Sequence, residues 1–249
     1  MGRTNPNNHG IPSPVVRYFE WKGSVAKFQY YDKENKVNVE APDKFTFIVL
    51  DELNSMKGYN EQIGQGIYSN EVRSLKTQPL FVRYYNKQVI AEGLYANIKD
   101  TVVGKGGKFC KSVYIAFKDD KGELVIGNLQ LVGSGFDGWV EFTKKHSAEI
   151  YVGGVQVIGK IPKKKGSNNY FIPEFGIKPI TKETDDKAGE LQETLKAYLK
   201  DYFARAGQSN DAENDFEPPP ETLFVNDEDV NDLKEEISNS SDPEDDLPF

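Results

Sequence analysis

Between residues 15 and 180 the sequence never runs far without a turn signal, and this rhythm constrains the fold more than any other feature. Short runs rich in aromatic and β-branched residues predict strands over 15–21, 24–31, 36–40, 44–50, 80–85, 88–95, 108–118, 124–132 and 150–158, with a short one over 170–175. Asp32-Lys33-Glu34-Asn35, Asn86-Lys87 and Asp119-Asp120-Lys121-Gly122 separate neighbouring runs, the sign of antiparallel hairpins. An all-β barrel or sandwich follows. Helical period enters twice. Over 136–145, Phe136, Trp139, Val140 and Phe142 share one side. Over 184–206, Leu191, Leu195, Tyr198 or Leu199, and Tyr202 do the same, with Thr184 as cap, Asp185 and Asp186 in the first turn and Arg205 near the last. The fold class is therefore all-β with added helices.

Charge divides the chain. Residues 206–249 hold 15 Asp/Glu against Lys234 alone, a net −14 within a whole-chain charge of −8, so residues 1–205 carry +6. Those 44 residues also contain Pro218-Pro219-Pro220 and only 11 apolar side chains, too few to offset the entropy of ordering them. The expected organisation is a flexible arm over 1–14, a β-rich domain over 15–183, a C-terminal helix over 184–206 and a disordered acidic tail over 207–249. The apolar stretch over 45–50, interrupted by Thr46, falls far short of the ~18 residues of a membrane span, and the first thirty residues lack an apolar signal core. A cytoplasmic chain without membrane contact is expected. Cys110 has no disulfide partner, and His9 and His146 cannot assemble a zinc site with it, so neither metal nor cofactor is expected.

Catalytic patterns are missing. The Gly-rich Val103-Gly104-Lys105-Gly106-Gly107-Lys108 lacks nucleotide-loop spacing and lies between strands, where it reads as a hairpin tip. The doublets Asp51-Glu52 and Asp119-Asp120 would point to opposite faces of an extended chain instead of converging on a metal. Cys110 has no base nearby in sequence and reads as a half-buried thiol. The chain is not expected to be an enzyme.

What the strands do carry is aromatic rings beside cations, the combination that suits unpaired nucleic acid, where cations neutralise phosphates and flat rings stack on bases of any identity. Arg17, Trp21, Lys27, Arg83, Tyr85, Lys108, Lys111 and Tyr114 are the strand candidates. Tyr59, Tyr68 and Arg73 lie on an expected flexible loop over 59–73, and Lys105 lies in the Gly-rich tip. Period two sorts the faces. Over 108–118, Phe109, Val113, Ile115 and Phe117 should face the core and Lys108, Ser112, Tyr114 and Lys118 the outside; over 80–85, Phe81, Arg83 and Tyr85 should face outward. Trp21, Tyr85 and Tyr114 are the expected stacking platforms, although alternation with Phe19 could equally place Trp21 inside. Arg83, Lys108 and Lys111 are the expected phosphate contacts. The run from Lys160 to Ser167, with four lysines, reads as a basic loop.

The last residues, Asp242-Pro243-Glu244-Asp245-Asp246-Leu247-Pro248-Phe249, form an acidic run closed by an apolar residue, proline and phenylalanine. This run resembles the C-terminal tip of bacterial single-stranded DNA-binding proteins and of phage proteins that do the same work. The resemblance implies an elaborated OB-fold, a Greek-key barrel that binds single-stranded DNA without sequence readout in replication, recombination and repair. It also implies recruitment of partner proteins of those processes: Phe249 fills an apolar pocket, its carboxylate with Asp245 and Asp246 meets basic residues around it, and Leu247 and Pro248 complete the tip. The setting would be the cytoplasm of a bacterial or phage-infected cell. The body, about 165 residues before its helix, exceeds a minimal OB barrel and matches no other stretch of the compact bacterial protein. Two rivals stand beside this reading: a single-strand annealing mediator, and an acidic adaptor or virion-associated β protein that binds no DNA.

Overall fold

The computed structural model describes residues 10–206. The tail expected over 207–249, with Asp245, Asp246, Leu247, Pro248 and Phe249, lies outside the described residues. In chain order the elements are β1 (Arg17–Lys22), β2 (Lys27–Asp32), β3 (Val37–Glu40), β4 (Thr46–Asn60), β5 (Gln65–Ser69), β6 (Leu80–Tyr84), β7 (Val89–Gly93), α1 (Tyr95–Val103), β8 (Gly107–Lys118), β9 (Leu124–Leu131), α2 (Ser134–His146), β10 (Gly154–Lys165), β11 (Asn168–Lys178) and α3 (Lys182–Ala206). The chain is thus mostly β-sheet with three helices among the described residues.

The eleven strands form one sheet in the order β3-β2-β1-β9-β8-β4-β5-β6-β7, with β10 on the first residues of β4 and β11 on β10. All pairs are antiparallel except β1 with β9. The hairpin turns are built as their residue types require. Asp32 Oδ1 accepts the N–H groups of Glu34 (2.9 Å) and Asn35 (3.2 Å), Asn86 Oδ1 that of Gln88 (3.0 Å), and Asp119 Oδ1 those of Lys121 and Glu123 (both 2.9 Å). Gly122, at φ +82°, closes the last of them.

Helices cover the sheet on both faces. One cluster packs α2 against Phe19, Trp21, Phe28, Phe45, Phe47, Phe117 and Phe175 inside the curl of the sheet. The curl brings β11 to the β1–β2 turn, where the Phe171 N–H donates to Gly23 O (3.0 Å) and Trp21 Nε1–H donates to Phe171 O (2.8 Å). Gly138 must be small, because a Cβ there would stand 2.4 Å from Pro173 O. A second cluster sets α1 against β5 and β6 through Tyr95, Ile98, Val102, Ile67, Leu80 and Val82. On the opposite face Ala188, Leu195 and Leu199 of α3 cover Ile48, Leu50, Leu53, Tyr114, Ala116 and Ile126.

Four expectations are corrected. The loop expected over 59–73 is partly strand, since β4 runs on to Asn60 and turns into β5 (Gln65–Ser69). The basic loop is not a loop: residues 160–165 continue β10 into a long hairpin with β11. Helix α1 replaces the end of the strand expected over 88–95. The cap of α3 is Thr181, whose Oγ1 accepts the Thr184 N–H (3.2 Å). The inner end of the expected N-terminal arm also has a berth, with the Ile11 N–H donating to Asp201 Oδ2 of α3 (2.9 Å).

Candidate nucleic-acid interface

Beyond the patch that α3 covers, the same face of the sheet turns polar and aromatic. Side chains of directly paired residues share a face, so the register identifies its members. One row crosses four strands: Lys108 on β8 opposes Lys57 on β4, Lys57 opposes Tyr68 on β5, and Tyr68 opposes Arg83 on β6. Two residues along lie Tyr59 on β4 and Tyr85 just past β6; the Tyr85 ring meets that of Tyr68 at 5.4 Å between centroids. Towards the other edge, Ser112 opposes Gln130, Tyr18 pairs with Asn128, Glu20 opposes Gln29, and Lys22 opposes Lys27, with Tyr31 following on β2. Seven strands at the usual spacing make this strip about 29 Å across.

Its centre is buried and polar. Lys57 forms an ion pair with Glu20 and donates to Gln130 Oε1. Burial pulls the pKa of the Lys57 ammonium down to about 8, opposed in part by the charge that Cys110 can carry. Burial pushes the neighbouring Cys110 thiol up to about 11, which keeps it protonated and unreactive at neutral pH. Tyr18, Lys22, Tyr31, Tyr59, Arg83, Tyr85 and Lys108 are half-buried, with part of each side chain at the surface. Arg83 makes no ion pair among the described residues.

Of the sequence-derived candidates, Tyr59, Arg83, Tyr85 and Lys108 come together here with part of each side chain at the surface, and Tyr68 lies among them but is only 5% exposed. Lys27 shares the face, but its ammonium donates to Glu40 Oε2 (2.7 Å) and lies 3.4 Å from Asp43, and those two carboxylates raise its pKa. The others stand elsewhere. Trp21, expected outward, is 7% exposed and T-shaped against Phe28 in the core. Tyr114, also expected outward, is on the right face but 4% exposed beneath α3, its hydroxyl donating to Glu71 Oε2 (2.5 Å). Burial is the larger influence raising its pKa, and the Glu71 charge adds to it. Arg17 points to the opposite face, paired with Asp120 and lying 4.3 Å from the Tyr30 ring centroid. Arg73 binds both oxygens of Asp51 (2.9 and 2.7 Å) from the loop after β5. Lys111 projects from the far side of β8 towards Asn54 Oδ1 (3.4 Å), and Lys105 is exposed in the α1–β8 turn.

Tyr18, Lys22, Tyr31 and Lys57 are the members that sequence reasoning missed. The signal for the first two was present: Phe19 and Trp21 are the bulkier apolar pair on β1, so Tyr18 and Lys22, of the other parity, belong on the polar face.

Chemically the strip offers planar phenol rings, cations and amides along one face, and among the described residues no three His, Cys, Asp or Glu gather as a metal site would require. No described helix is long and apolar enough to cross a membrane. No known protein family, curated protein or solved structure matches the chain.

Proposed function

We propose that this protein binds single-stranded DNA without sequence preference in replication, recombination or repair, across the Tyr/Lys/Arg strip. The observation that carries the reading is the half-buried set Tyr59, Arg83, Tyr85 and Lys108, which register gathers on one face of four adjacent strands around the buried Lys57 and Tyr68. Rings stack on splayed bases, and cations neutralise the phosphates between them. The fold reading that accompanies it is an elaborated OB barrel, supported by the curl that brings β11 to the β1–β2 turn. The acidic tip, Asp245 to Phe249, recruits partner proteins. The test is a binding titration of the full chain with oligo(dT) and with duplex of equal length. Binding to oligo(dT) should be much the tighter, with a log–log salt slope of roughly −0.7 per phosphate neutralised. Equal affinity for duplex, or a flat salt response, overturns the proposal. Faster pairing of complementary strands at saturating protein would instead identify the annealing mediator.

A further inference from the structure

Resting on that reading, the geometry points to a second contact: the β10–β11 ribbon grips the duplex flank at a junction between single- and double-stranded DNA. The ribbon carries the densest run of cations in the body: four lysines fall within residues 160–165, and over residues 154–178 five lysines stand against Glu174 alone. Only Gly154, Val155 and Gln156 of β10 pair with β4, and the Val157 N–H donates to Phe45 O just before that strand (2.9 Å); beyond Val157, β10 has β11 as its sole strand partner. Further out, the Phe171 N–H and carbonyl tie the ribbon to Gly23 O and Trp21 Nε1 at the end of β1. Beyond the Pro162–Phe171 pair the ribbon runs three residues further on each side before it turns, roughly 10 Å of reach.

Those dimensions and charges fit paired DNA. The major groove is ~8.5 Å deep and ~12 Å wide, and admits a two-stranded ribbon. Register puts Lys163, opposite Tyr170, on one face of the ribbon and Lys160 and Lys164, opposite Pro173 and Asn169, on the other. Cations on both faces suit a slot with phosphates on both walls. All three are exposed, and none makes an ion pair among the described residues. Lysines on a free edge also discourage strand pairing between molecules, but Pro162, with no N–H to donate, already interrupts that edge. The ribbon presents no ring past Tyr170, which is half-buried at its base against Gly23. Cations without stacking surfaces match a helix whose bases are already paired. Finally, the ribbon is tied at its base to Gly23, which directly follows Lys22 at one end of the strip, so a strand leaving that end has the ribbon beside it.

The experiment measures binding of the full chain, by fluorescence anisotropy, to three DNAs: oligo(dT), blunt duplex, and the same duplex with a dT overhang. The wild type is compared with a K160Q/K163Q/K164Q variant, whose melting temperature checks the fold. The wild type should prefer the tailed duplex to oligo(dT) of equal nucleotide count. If each lysine neutralises one duplex phosphate, that preference should shrink about 40-fold between 50 and 200 mM salt, from a slope steeper by roughly 2.7. The variant should lose the preference and keep its oligo(dT) affinity within about twofold. A wild type that binds oligo(dT) but favours no junction overturns the ribbon assignment alone, as does a variant that weakens all three DNAs equally. A wild type that binds none of them overturns both readings.

Discussion

Trp21 separates stacking on DNA from packing of the core, and the two roles give opposite results on mutation. Its indole is 7% exposed, packs edge-on against Phe28 at 5.2 Å between centroids, and donates Nε1–H to Phe171 O at 2.8 Å. Trp21→Ala removes a side chain of the class whose truncation costs about 3–5 kcal/mol, and leaves the Phe171 carbonyl without its donor, about 1 kcal/mol more. A loss of about 4–6 kcal/mol in a domain of this size lowers the melting temperature by roughly 8–24 °C. Trp21→Phe keeps most of the apolar area and loses the donor, so it should cost about 1–2 kcal/mol, or roughly 2–8 °C. Circular-dichroism melts measure both. Oligo(dT) titrations at low temperature, where each variant is folded, should give affinities within about twofold of wild type. A Trp21→Ala protein that melts like wild type but no longer binds oligo(dT) would refute the core assignment.

On the strip the expectation reverses. Tyr85→Ala should cost about 1–3 kcal/mol of oligo(dT) binding, with little change in the melting temperature; a parallel loss of stability would mark a packing residue instead. Arg83→Gln should flatten the salt slope by roughly 0.7, and an unchanged slope would remove Arg83 from the phosphate contacts. Cys110 should stay unreactive towards a thiol reagent at pH 8 until the chain is unfolded in urea. Because its folded pKa, about 11, lies above the unfolded value near 9, the unfolded state gives up its proton first; this one group therefore costs stability as pH rises from about 9 to 11. A Cys110→Ala chain with an identical alkaline profile would refute that. Ending the chain after Gly207 removes 15 acids and should strengthen DNA binding at low salt, where screening is weak; unaltered binding there refutes competition by the tail. Deleting Phe249 alone leaves net charge unchanged, so DNA affinity should hold while capture of a replication or repair partner in a pull-down fails; intact capture refutes the tip's role.

The turns were legible because Asp32, Asn86 and Asp119 carry their own hydrogen-bond acceptors, a local property that no distant contact overrides. Helices α2 and α3 were legible from one apolar stripe each. The second half of β4 was not, since Asn54, Ser55, Lys57 and Gly58 carry no apolar alternation. They hold strand geometry through distant partners: Asn54 exchanges two backbone bonds with Val72, and Ser69 Oγ accepts the Met56 N–H. Alternation on β8 placed Val113, Ile115 and Phe117 inside, as found. Tyr114 failed because α3, some seventy residues away in sequence, covers the other face. Period two states which residues share a face. It does not state what else will pack there, and at Arg17 and Trp21 the choice between the two faces was itself inverted.

The parallel pairing of β1 with β9 has a consequence for the order of assembly. Strand β1 is made early, yet it lies between β2 and β9, and its partner residues Gly127, Asn128 and Leu129 are more than a hundred positions later in the chain. At ~5–20 residues per second on a ribosome, that separation is roughly 5–20 s. During this interval the β1–β2 hairpin can form, but Phe19, Trp21 and Phe28 have neither β9 beside them nor α2 above. The nascent chain thus presents an aromatic surface for seconds before the residues that bury it exist, and non-local closure of this kind is intrinsically slow even in the finished chain. Refolding from denaturant should therefore become less efficient as protein concentration rises, and a holdase chaperone that shields that hairpin should raise the yield.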